Sequence, residues 1–524
     1  MGGLLVAVDV GTGSARAGVL SPTGQLLGRA DHPIAMRRTG ALEAEHDSSQ
    51  IWEAVGLAVK GAMAAAAAPP GAVAGIGFDA TCSLVVRDRD GAPLSVARDG
   101  DTRWDTMVWL DHRALAEAAE CTATGDPALA SLGGVMSPEM QLPKLMWLKR
   151  HLPETWSRAA YCADLVDFLT FSATGSLARS QSTLACKWSW NPATGWPRAL
   201  LGRLGLADLG ERSGVPLAAT PPGTDLGPLT PTAAAALGLT ISTRVSAGLI
   251  DAHAGALGVL GRHAMDADGI DRHPCLIAGT SNSILALAPD PRPIPGVWGP
   301  YAGAILPDLW LLEAGQSATG ALLDHLIRWH PAGGEPTPER HEAIATRIEE
   351  LRQAEGPGFA EHLHVLPDFH GNRSPLANPA ALGVISGLGL ETDFDSLCRL
   401  YWRAALGVAL GMRQNLLALQ RRGFAADRLW LGGGHARNPL LVELYADAAG
   451  VTIVQPNTPD AVLLGGAMLA ATAAGLYPDL AHAAAAMDQG GSDHPPDPAA
   501  NRRYDRDYRI QLEMQRHRQV VEAM

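Results

Sequence analysis

Two strand-turn-strand elements that share a Gly-Thr turn constrain the fold of this chain more than any other feature. The first reads V-A-V-D-V-G-T-G-S-A-R-A-G-V-L over residues 6–20, and the second reads P-C-L-I-A-G-T-S-N-S-I-L-A-L-A over residues 274–288. In each, an apolar run leads into glycine, threonine and small polar residues before a second apolar run, which predicts a hairpin. A duplicated domain would place one such hairpin in each half. Two unrelated glycine-containing hairpins would give the same pattern.

The segments around these hairpins predict a mixed α/β order. Residues 4–10, 17–20 and 25–34 favour a three-strand meander, and a helix that opens at Asp47 or Ser48 and closes at Pro-Pro-Gly precedes a strand in A-V-A-G-I-G-F. In the second half, R-L-W-L-G-G-G-H-A-R-N-P-L-L-V-E-L-Y-A-D-A-A-G predicts a strand, a glycine turn and a helix. V-T-I-V-Q-P then predicts a strand, and D-A-V-L-L-G-G-A-M-L-A-A-T-A-A-G-L a helix of small residues.

Length and charge exclude several classes of protein. A chain of 524 residues that is 47% hydrophobic can build two large domains. A net charge of -13, without a basic stripe, argues against nucleic-acid binding. Six scattered cysteines without a C-x-x-C pair indicate neither a zinc site nor a disulfide framework. With neither a signal peptide nor an apolar run of roughly 18 residues, we expect a cytoplasmic protein without a membrane or nucleic-acid partner.

Three glycine turns could direct backbone N–H groups at phosphate. They are Gly11-Thr12-Gly13-Ser14, Gly279-Thr280-Ser281 and Gly432-Gly433-Gly434. The P-loop pattern is absent, and Arg16 stands where the dinucleotide fingerprint requires a third glycine. Each turn alone is more typical of an ordinary tight turn. Asp9, just before the first turn, adds a carboxylate that can organise Mg²⁺ through water.

Asp251 lies in R-V-S-A-G-L-I-D-A-H-A-G-A-L-G-V-L-G, among apolar and small residues. Burial of an unpaired carboxylate would cost several kcal/mol, so Asp251 requires a role in capping, pairing or catalysis. It follows a strand-like run and precedes a helix, and the N-terminus of that helix would favour the ionised carboxylate. A helix-capping aspartate is the alternative interpretation.

Taken together, these motifs resemble the FGGY family of carbohydrate kinases. The resemblance is carried by Asp9-x-Gly11-Thr12-x-x-x-Arg16, by I-A-G-T-S-N, by the glycine triplet with Asn438 four residues beyond, and by P-K-L-M-W-L-K. G-F-D-A-T-C-S-L-V-V, W-L-D-H-R, C-K-W-S-W, L-I-D-A-H-A-G and L-L-E-A-G-Q-S-A-T-G are most similar to the pentulose kinases of the ribulokinase-type branch. Gly407 is a departure, because an acidic residue is common there in the family.

The resemblance implies an α/β fold of two actin-like ATPase (ribonuclease H-like) domains with a central cleft. We expect an N-terminal sugar-binding domain over residues 1–245, a C-terminal nucleotide-binding domain over 246–490, and a polar tail with one short helix over 491–524. The implied activity is phosphorylation of a pentulose, foremost D-ribulose to D-ribulose 5-phosphate, with ATP and Mg²⁺. L-ribulose, ribitol and xylulose remain alternatives, as does an actin-like ATPase that transfers nothing to a sugar. The oligomeric state stays open, with a homodimer as one option.

The resemblance also implies roles for individual residues. Asp251 would be the general base that accepts the proton of the sugar hydroxyl, and Asp9 and Asp251 would hold Mg²⁺ through water. The predicted sugar-binding residues are Asp79, Cys82, Asp111, His112, Lys187, Asp251 and Glu313. The predicted ATP-binding residues are Gly11, Thr12, Gly13, Arg16, Gly279, Thr280, Ser281, Gly320, Gly433, Gly434 and Asn438.

Three of these roles have a simpler alternative. Lys187 could be a surface lysine that extends its charged end into water. Asp111 and His112 could form a structural pair with Arg113, and Glu313 could be the charged end of a strand. Cys82 has no histidine-containing partner motif, so it is expected to line a pocket and not to act as a nucleophile.

Overall fold

The computed structural model describes residues 3–266 and 269–524, and the chain divides into two compact units. Unit 1 consists of Met1–Ile270, Leu287–Leu312 and Pro456–Gly490. Unit 2 consists of Asp271–Ala286, Glu313–Gln455 and Gly491–Met524. The predicted domain boundaries at 245/246 and 490/491 stay predictions.

The helices and strands follow the mixed order that the sequence predicts. The strands are β1 (Leu4–Val10), β2 (Ser14–Leu20), β3 (Leu26–Pro33), β4 (Met36–Thr39), β5 (Glu43–His46), β6 (Val73–Ala80), β7 (Leu84–Asp88), β8 (Thr106–Met107), β9 (Ala159–Asp164), β10 (Asp225–Pro228), β11 (Arg244–Ser246), β12 (Leu249–Ile250), β13 (Cys275–Ala278), β14 (Asn282–Ala288), β15 (Trp298–Ala302), β16 (Trp310–Gln316), β17 (His364–Leu366), β18 (Val384–Ser386), β19 (Arg428–Gly432), β20 (Thr452–Pro456) and β21 (Gly491–His494). The helices are α1 (Ser48–Ala65), α2 (Leu115–Ala123), α3 (Gln141–His151), α4 (Pro153–Arg158), α5 (Leu165–Thr174), α6 (Gln181–Lys187), α7 (Arg198–Arg203), α8 (Leu209–Ser213), α9 (Pro231–Leu237), α10 (Asp251–Leu260), α11 (Gly320–Trp329), α12 (Pro338–Glu355), α13 (Phe394–Gln420), α14 (Pro439–Ala449), α15 (Ala461–Ala473), α16 (Leu480–Ala486) and α17 (Pro498–Glu522).

The main sheet of unit 1 has the order β10-β11-β6-β1-β2-β3. The predicted meander is confirmed, because β1 pairs with β2 and β2 with β3, both antiparallel. Next to it, β6 runs parallel to β1, and both β11 and β12 run parallel to β6. A second sheet of this unit has the order β4-β5-β8-β7-β9.

The sheet of unit 2 repeats this plan. From β16 onwards its order is β16-β14-β13-β19-β20-β21. The hairpin strands β13 and β14 are antiparallel, whereas β19 lies between β13 and β20 and runs parallel to both. In both sheets the first strand of the hairpin therefore lies between its antiparallel partner and a later parallel strand. The duplicated domain predicted from the two Gly-Thr hairpins is confirmed.

Helix α1 begins where the sequence predicts, because Asp47 is its N-cap and its side chain accepts hydrogen bonds from the backbone N–H groups of Ser49 and Gln50. Its apolar face, which includes Ile51 and Val55, is buried in the core of unit 1. Burial of that face is what holds the helix on the meander.

Helices α10 and α15 approach each other and the main sheet of unit 1 so closely that only glycine fits at the contacts. A Cβ atom on Gly258 would lie 2.0 Å from the Ala461 carbonyl oxygen, and one on Gly465 would lie 2.0 Å from the Ala254 carbonyl oxygen. On the sheet, a Cβ on Gly77 would lie 2.1 Å from the carbonyl oxygen of Gly466. The small residues of the two helices are therefore a packing requirement.

The C-terminal helix differs from its prediction. Helix α17 is 25 residues long, so the expected short helix is wrong. It packs against α13 and α14, and Arg518 forms a buried ion pair with Asp368. The polar composition of the segment concealed this contact, because long arginine side chains can bury their stems. Within the described residues, no helix combines the length and the apolar character that crossing a membrane requires.

Gly407, the departure from the family pattern, has a packing reason. It is buried within α13, and a Cβ atom there would lie 2.3 Å from the carbonyl oxygen of Val365 in β17. An acidic side chain could not enter this contact without moving the backbone.

Candidate active site

Three neighbouring parallel strands of unit 1 end in carboxylates. Asp9 on β1 pairs in register with Asp79 on β6, and Ile250 on β12 pairs with Ala80, the next residue of β6. Asp251 follows Ile250 directly and begins α10. Because the carboxyl ends of parallel strands meet at one edge, loops there commonly build binding sites. The structure thus brings together three aspartates to which the sequence analysis gave overlapping roles in catalysis, metal binding and sugar binding. We call Asp9, Asp79 and Asp251 the carboxylate edge.

Burial makes this edge unfavourable for negative charge. Asp9 and Asp79 are almost fully buried. Burial raises the pKa of Asp9 to about 7, with further contributions from Asp251 and Asp460, whereas Arg16 lowers it through an ion pair of 2.7 Å. The pKa of Asp79 is raised well above its usual range, first by burial and then by the neighbouring Asp9. A bound cation would therefore favour the ionised forms at neutral pH.

The donor atoms at this edge fit magnesium. Among the described residues, no well-aligned hydrogen bond reaches the four buried carboxylate oxygens of Asp9 and Asp79, although Asp9 pairs with Arg16. Carboxylate oxygens are the ligands that Mg²⁺ prefers, and Mg²⁺ keeps most of its waters. In the described part of the chain, no three His, Cys, Asp or Glu side chains converge as a direct metal centre. A hydrated ion, held as predicted by Asp9 and Asp251 through water, is consistent with both observations.

Asp251 is not the cap of its helix. The N-cap position belongs to Ile250, which makes no side-chain capping bond, and Asp251 is the first helical residue. Its carboxylate accepts a hydrogen bond of 2.7 Å from the backbone N–H of Ala252. Asp251 is partly exposed, unlike Asp9 and Asp79. The N-terminus of α10 favours the ionised carboxylate in this position.

Helix α6 is joined by hydrogen bonds to the start of α10. Ser180, the N-cap of α6, donates through its hydroxyl to the Gly248 carbonyl oxygen at 2.7 Å. In the first turn of the helix, the Ser182 hydroxyl oxygen lies 2.8 Å from Nδ1 of His253 and 3.5 Å from the Ile250 backbone nitrogen. These bonds fix α6 relative to Asp251.

Lys187, the last residue of α6, is buried with only 3% of its surface exposed, so the surface-lysine alternative is wrong. Its Nζ lies 4.4 Å from the centre of the Trp298 ring, a cation–π contact. Burial raises the pKa of the Cys82 thiol to about 12, against the opposing effect of Lys187. The thiol is therefore neutral at pH 7, as expected for a residue that lines a pocket.

A buried polar network around Cys82 escaped the sequence analysis. Gln141 donates through Nε2 to the Cys82 carbonyl oxygen at 3.1 Å and to Asp164 at 2.9 Å, and Trp188 donates to the other oxygen of Asp164. Lys144 is fully buried, and burial lowers its pKa. The signal lay in P-K-L-M-W-L-K, where a lysine stands inside an apolar helical run, and in Asp164 at the end of β9.

Asp111 has the contact with Arg113 that the structural alternative predicts, whereas His112 lies near Glu139. The Asp111 carboxylate is buried and accepts hydrogen bonds from Arg113 at 2.6 and 2.9 Å and from the Ala44 N–H at 2.7 Å. Nε2 of His112 lies 3.7 Å from an oxygen of Glu139. Sugar contact by Asp111 and His112 stays a prediction.

The β1–β2 turn holds its hydroxyl in place. Gly11 donates to the Ser14 carbonyl oxygen at 3.1 Å, and the Thr12 hydroxyl accepts a hydrogen bond of 3.0 Å from the indole N–H of Trp109. Arg16, on the second strand of the hairpin, pairs with Asp9 and approaches Asp460 at 3.9 Å. Gly13 faces open space, since a Cβ atom added there would meet nothing within 4 Å among the described residues.

The matching turn of unit 2 is built from backbone contacts. Gly279 donates to the Ser281 carbonyl oxygen at 2.8 Å, which closes the β13–β14 hairpin. At the start of α11, Thr319 donates to the Thr280 carbonyl oxygen at 3.0 Å and Gly320 donates to that of Gly279 at 2.9 Å. A Cβ on Gly320 would lie 2.6 Å from the Gly279 carbonyl oxygen. The hairpin and the helix can approach only because residue 320 is glycine.

A second glycine contact brings the β19–α14 turn to the same hairpin. Gly433 has a φ of +84°, and a Cβ there would lie 2.4 Å from the Ala278 carbonyl oxygen. Asn438, four residues after Gly434, is the N-cap of α14. Its side-chain oxygen accepts a hydrogen bond of 3.1 Å from the Leu440 N–H. Unit 2 therefore gathers Gly279, Thr280, Ser281, Gly320, Gly433 and Gly434 into one cluster of turns, which we call the glycine edge.

Glu313 belongs to unit 2, on β16. It is buried, with 5% of its surface exposed, and it accepts a hydrogen bond of 3.2 Å from the Ser283 hydroxyl. A charged residue at the end of a strand would require neither this burial nor this hydrogen bond. The role of Glu313 in sugar binding stays a prediction.

Comparison with known proteins gives consistent relationships. Models of the N-terminal and C-terminal domains of the FGGY family of carbohydrate kinases match residues 4–258 and 275–474. An FGGY carbohydrate kinase domain-containing protein of Danio rerio is 41% identical over 98% of this chain and 97% of its own length. A D-ribulokinase of Saccharomyces cerevisiae is 35% identical over 89% of this chain and 71% of its own. The solved structure of a ligand-bound xylulose kinase from Lactobacillus acidophilus has the same fold, with a TM-score of 0.80 at 20% identity over 98% of each chain.

Proposed function

We propose that this chain, which belongs to the FGGY family of carbohydrate kinases and to its ribulokinase-like branch, transfers the terminal phosphoryl group of ATP to D-ribulose and forms D-ribulose 5-phosphate. The observation that carries the proposal is the carboxylate edge, where Asp251 follows two buried aspartates at the ends of parallel strands. Support for D-ribulose as the substrate is the 35% identity to a yeast D-ribulokinase.

In this proposal Asp251 accepts the proton of the attacking sugar hydroxyl. The base of a phosphoryl transfer must be ionised and accessible to the substrate. Asp251 is partly exposed and stands at a helix N-terminus, which favours the carboxylate form. Asp9 and Asp79 are more buried than Asp251, which leaves Asp251 as the carboxylate of this edge that is best placed to accept the proton.

Sugar recognition is proposed to involve the residues around Lys187. A polyol is discriminated by buried donors and acceptors, because each missing hydroxyl leaves one of them unpaired. Lys187 is buried against Trp298, and Cys82 is part of the Gln141–Asp164 network. Asp79, Asp111, His112 and Glu313 complete the proposed sugar-binding set.

The glycine edge and the β1–β2 turn are proposed to bind ATP. Glycine turns let the backbone approach a phosphate closely, and Thr12, Thr280 and Ser281 add hydroxyl donors. Arg16 and Asn438 complete the proposed ATP-binding set. Asp9 and Asp251 would hold hydrated Mg²⁺, which when bound neutralises charge on the transferred phosphoryl group.

The test is a coupled ADP-release assay over a panel of D-ribulose, L-ribulose, D-xylulose and ribitol, with phosphorus NMR to identify the phosphorylated carbon. We expect the highest kcat/KM with D-ribulose and a 5-phosphate product. A higher kcat/KM with another member of the panel would correct the substrate. ADP release that no sugar raises above the background would favour an ATPase that phosphorylates no sugar.

A further inference from the structure

A cavity of about 560 Å³ lies in unit 2 among α12, α13, α17 and the turn that follows α12. None of its lining residues belongs to the carboxylate edge, to the glycine edge or to the predicted site residues. A volume of this size is typical of pockets that bind metabolites, which are roughly 300–1,000 Å³. The long helix α17, expected from the sequence to be short and peripheral, supplies one wall.

The lining of the cavity carries an excess of positive charge. Five arginines line it, against the carboxylates of Glu349, Glu361 and Asp507: they are Arg352, Arg403, Arg502, Arg503 and Arg506. Arg403 pairs with Asp507, and Arg352 pairs with Glu443 and with Glu349. Arg506 lies 3.5 Å from Glu361.

Arg502 and Arg503 are the two lining arginines that these ion pairs leave uncompensated. Both are exposed residues in the first turns of α17, and within the described residues neither takes part in an ion pair. The chain as a whole carries a net charge of -13, so an uncompensated pair of arginines runs against the general trend of its surface. Both arginines line the same cavity, and each planar guanidinium presents N–H donors that match phosphate oxygens.

Aromatic side chains give the cavity a rigid wall. Phe359, Trp402 and Tyr504 line it and are all buried. The guanidinium of Arg352 lies 4.5 Å from the centre of the Trp402 ring, which fixes both side chains. Such a wall can contact the carbon skeleton of a ligand whose anionic group is held at the rim.

We propose that this cavity binds a small phosphorylated metabolite, with its phosphate on Arg502 and Arg503 and its carbon skeleton against Tyr504. The ligand class follows from the unpaired arginines, the volume and the aromatic wall. The proposal is independent of which sugar the kinase phosphorylates, because the cavity shares no residue with the proposed active site.

The test is isothermal titration of the full-length protein with ribose 5-phosphate, inorganic phosphate and ribose. We expect saturable binding of ribose 5-phosphate that the Arg502→Ala/Arg503→Ala double variant weakens about ten-fold or more, since charge-assisted hydrogen bonds hold the phosphate. The matched control is Arg509→Ala/Arg516→Ala, which removes two exposed arginines of the same helix outside the cavity. Circular dichroism would verify that both variants fold.

The three probes and the two double variants distinguish the possible outcomes. Binding of inorganic phosphate as tight as that of ribose 5-phosphate would identify the free anion as the ligand, whereas tighter binding of ribose 5-phosphate would identify an ester. Binding at the active site would persist equally in all variants. The proposal is wrong if ribose binds as tightly as ribose 5-phosphate, if neither phosphate probe binds, or if the two double variants bind ribose 5-phosphate equally well.

Discussion

The main sheets of the two units share a strand order but differ in the chemistry of their equivalent edges. In unit 1, Asp9 stands two residues before Gly11 and pairs with Asp79. In unit 2, Ile277 stands two residues before Gly279 and pairs with Gly432. The positions that carry buried carboxylates in one sheet thus carry an apolar side chain and a glycine in the other.

This difference indicates that the duplicated fold has divided two tasks between its halves. Burial raises the pKa of Asp9 to about 7, with smaller contributions from Asp251 and Asp460, and a carboxylate in such surroundings favours a bound cation. Glycines instead let backbone carbonyl and N–H groups approach within contact distance, as at Gly320 and Gly433. The first edge is suited to proton and metal chemistry, and the second to holding a ligand with backbone groups.

The largest effect is expected from Asp251→Asn at the carboxylate edge. The amide cannot accept a proton, so kcat should fall about 100-fold or more while the KM values for sugar and ATP change little. Steady-state kinetics with D-ribulose would measure this. Asp393→Asn is the matched control, because Asp393 caps α13 in unit 2 and asparagine caps equally well. Activity within a few-fold of the wild type would exclude Asp251 as the base.

Lys187→Met should have the next largest effect. We expect this effect on the KM for the sugar. Methionine keeps the length and the apolar stem of the buried side chain but removes its charge, and loss of a buried charged donor costs about 2 kcal/mol or more, or roughly 30-fold. The KM for ATP should stay unchanged. Lys149→Met is the control, because Lys149 pairs with Asp208 at the surface. An unchanged sugar KM would remove Lys187 from the sugar site.

Local sequence patterns were sufficient to predict the elements on which the duplicated fold rests. The meander, the capping of α1 by Asp47, the glycine turn before α14 and the small-residue helix α15 all rest on residues that are close in sequence. The duplication could be predicted for the same reason, because the turn residues of each hairpin are contiguous in the sequence. The length of α17 was missed because its stability comes from packing on α13 and α14 and not from its own composition.

The site was only partly predictable, since its geometry depends on long-range register. The residues next to Asp9 and Asp79 in the sequence do not indicate that the pairing of β1 with β6 places these two aspartates opposite each other. Likewise, the Gln141–Asp164–Trp188 network joins three separate segments. The reason for Gly320 was also hidden, because its contact is with the carbonyl oxygen of a distant turn. Residue types revealed the chemistry, but only the fold revealed which groups act together.

Gly320→Ala would test the glycine edge. The added Cβ would lie 2.6 Å from the Gly279 carbonyl oxygen, so the hairpin must move, at a cost of about 1–3 kcal/mol. We expect the KM for ATP to rise about 10-fold and the KM for the sugar to stay within two-fold. Gly202→Ala in α7 is the control, because a Cβ there meets nothing within 4 Å. An equal rise in both KM values would mean that the glycine edge is not specific to the nucleotide.

The smallest effect is expected from Ser182→Ala, which removes the hydrogen bonds of Ser182 to the start of α10 and leaves Asp251 and the Ser180–Gly248 bond in place. The Ser182 hydroxyl lies 2.8 Å from Nδ1 of His253 and also approaches the Ile250 backbone nitrogen, so its loss should loosen the position of Asp251. We expect kcat to fall about 3- to 10-fold with little change in either KM, in keeping with the loss of about one hydrogen bond.

Two variants distinguish positioning from a general loss of structure. Ser182→Thr keeps the hydroxyl and should restore kcat, whereas Ser157→Ala removes an exposed hydroxyl that donates only within α4 and should have no effect. If Ser182→Ala raised the sugar KM as strongly as it lowered kcat, Ser182 would serve the binding end of α6 at Lys187 instead of the base. Ser182 and Lys187 lie on the same helix, α6. The ratio of the effect on kcat to the effect on the sugar KM therefore measures how far the carboxylate edge and the sugar-binding residues behave as one rigid element.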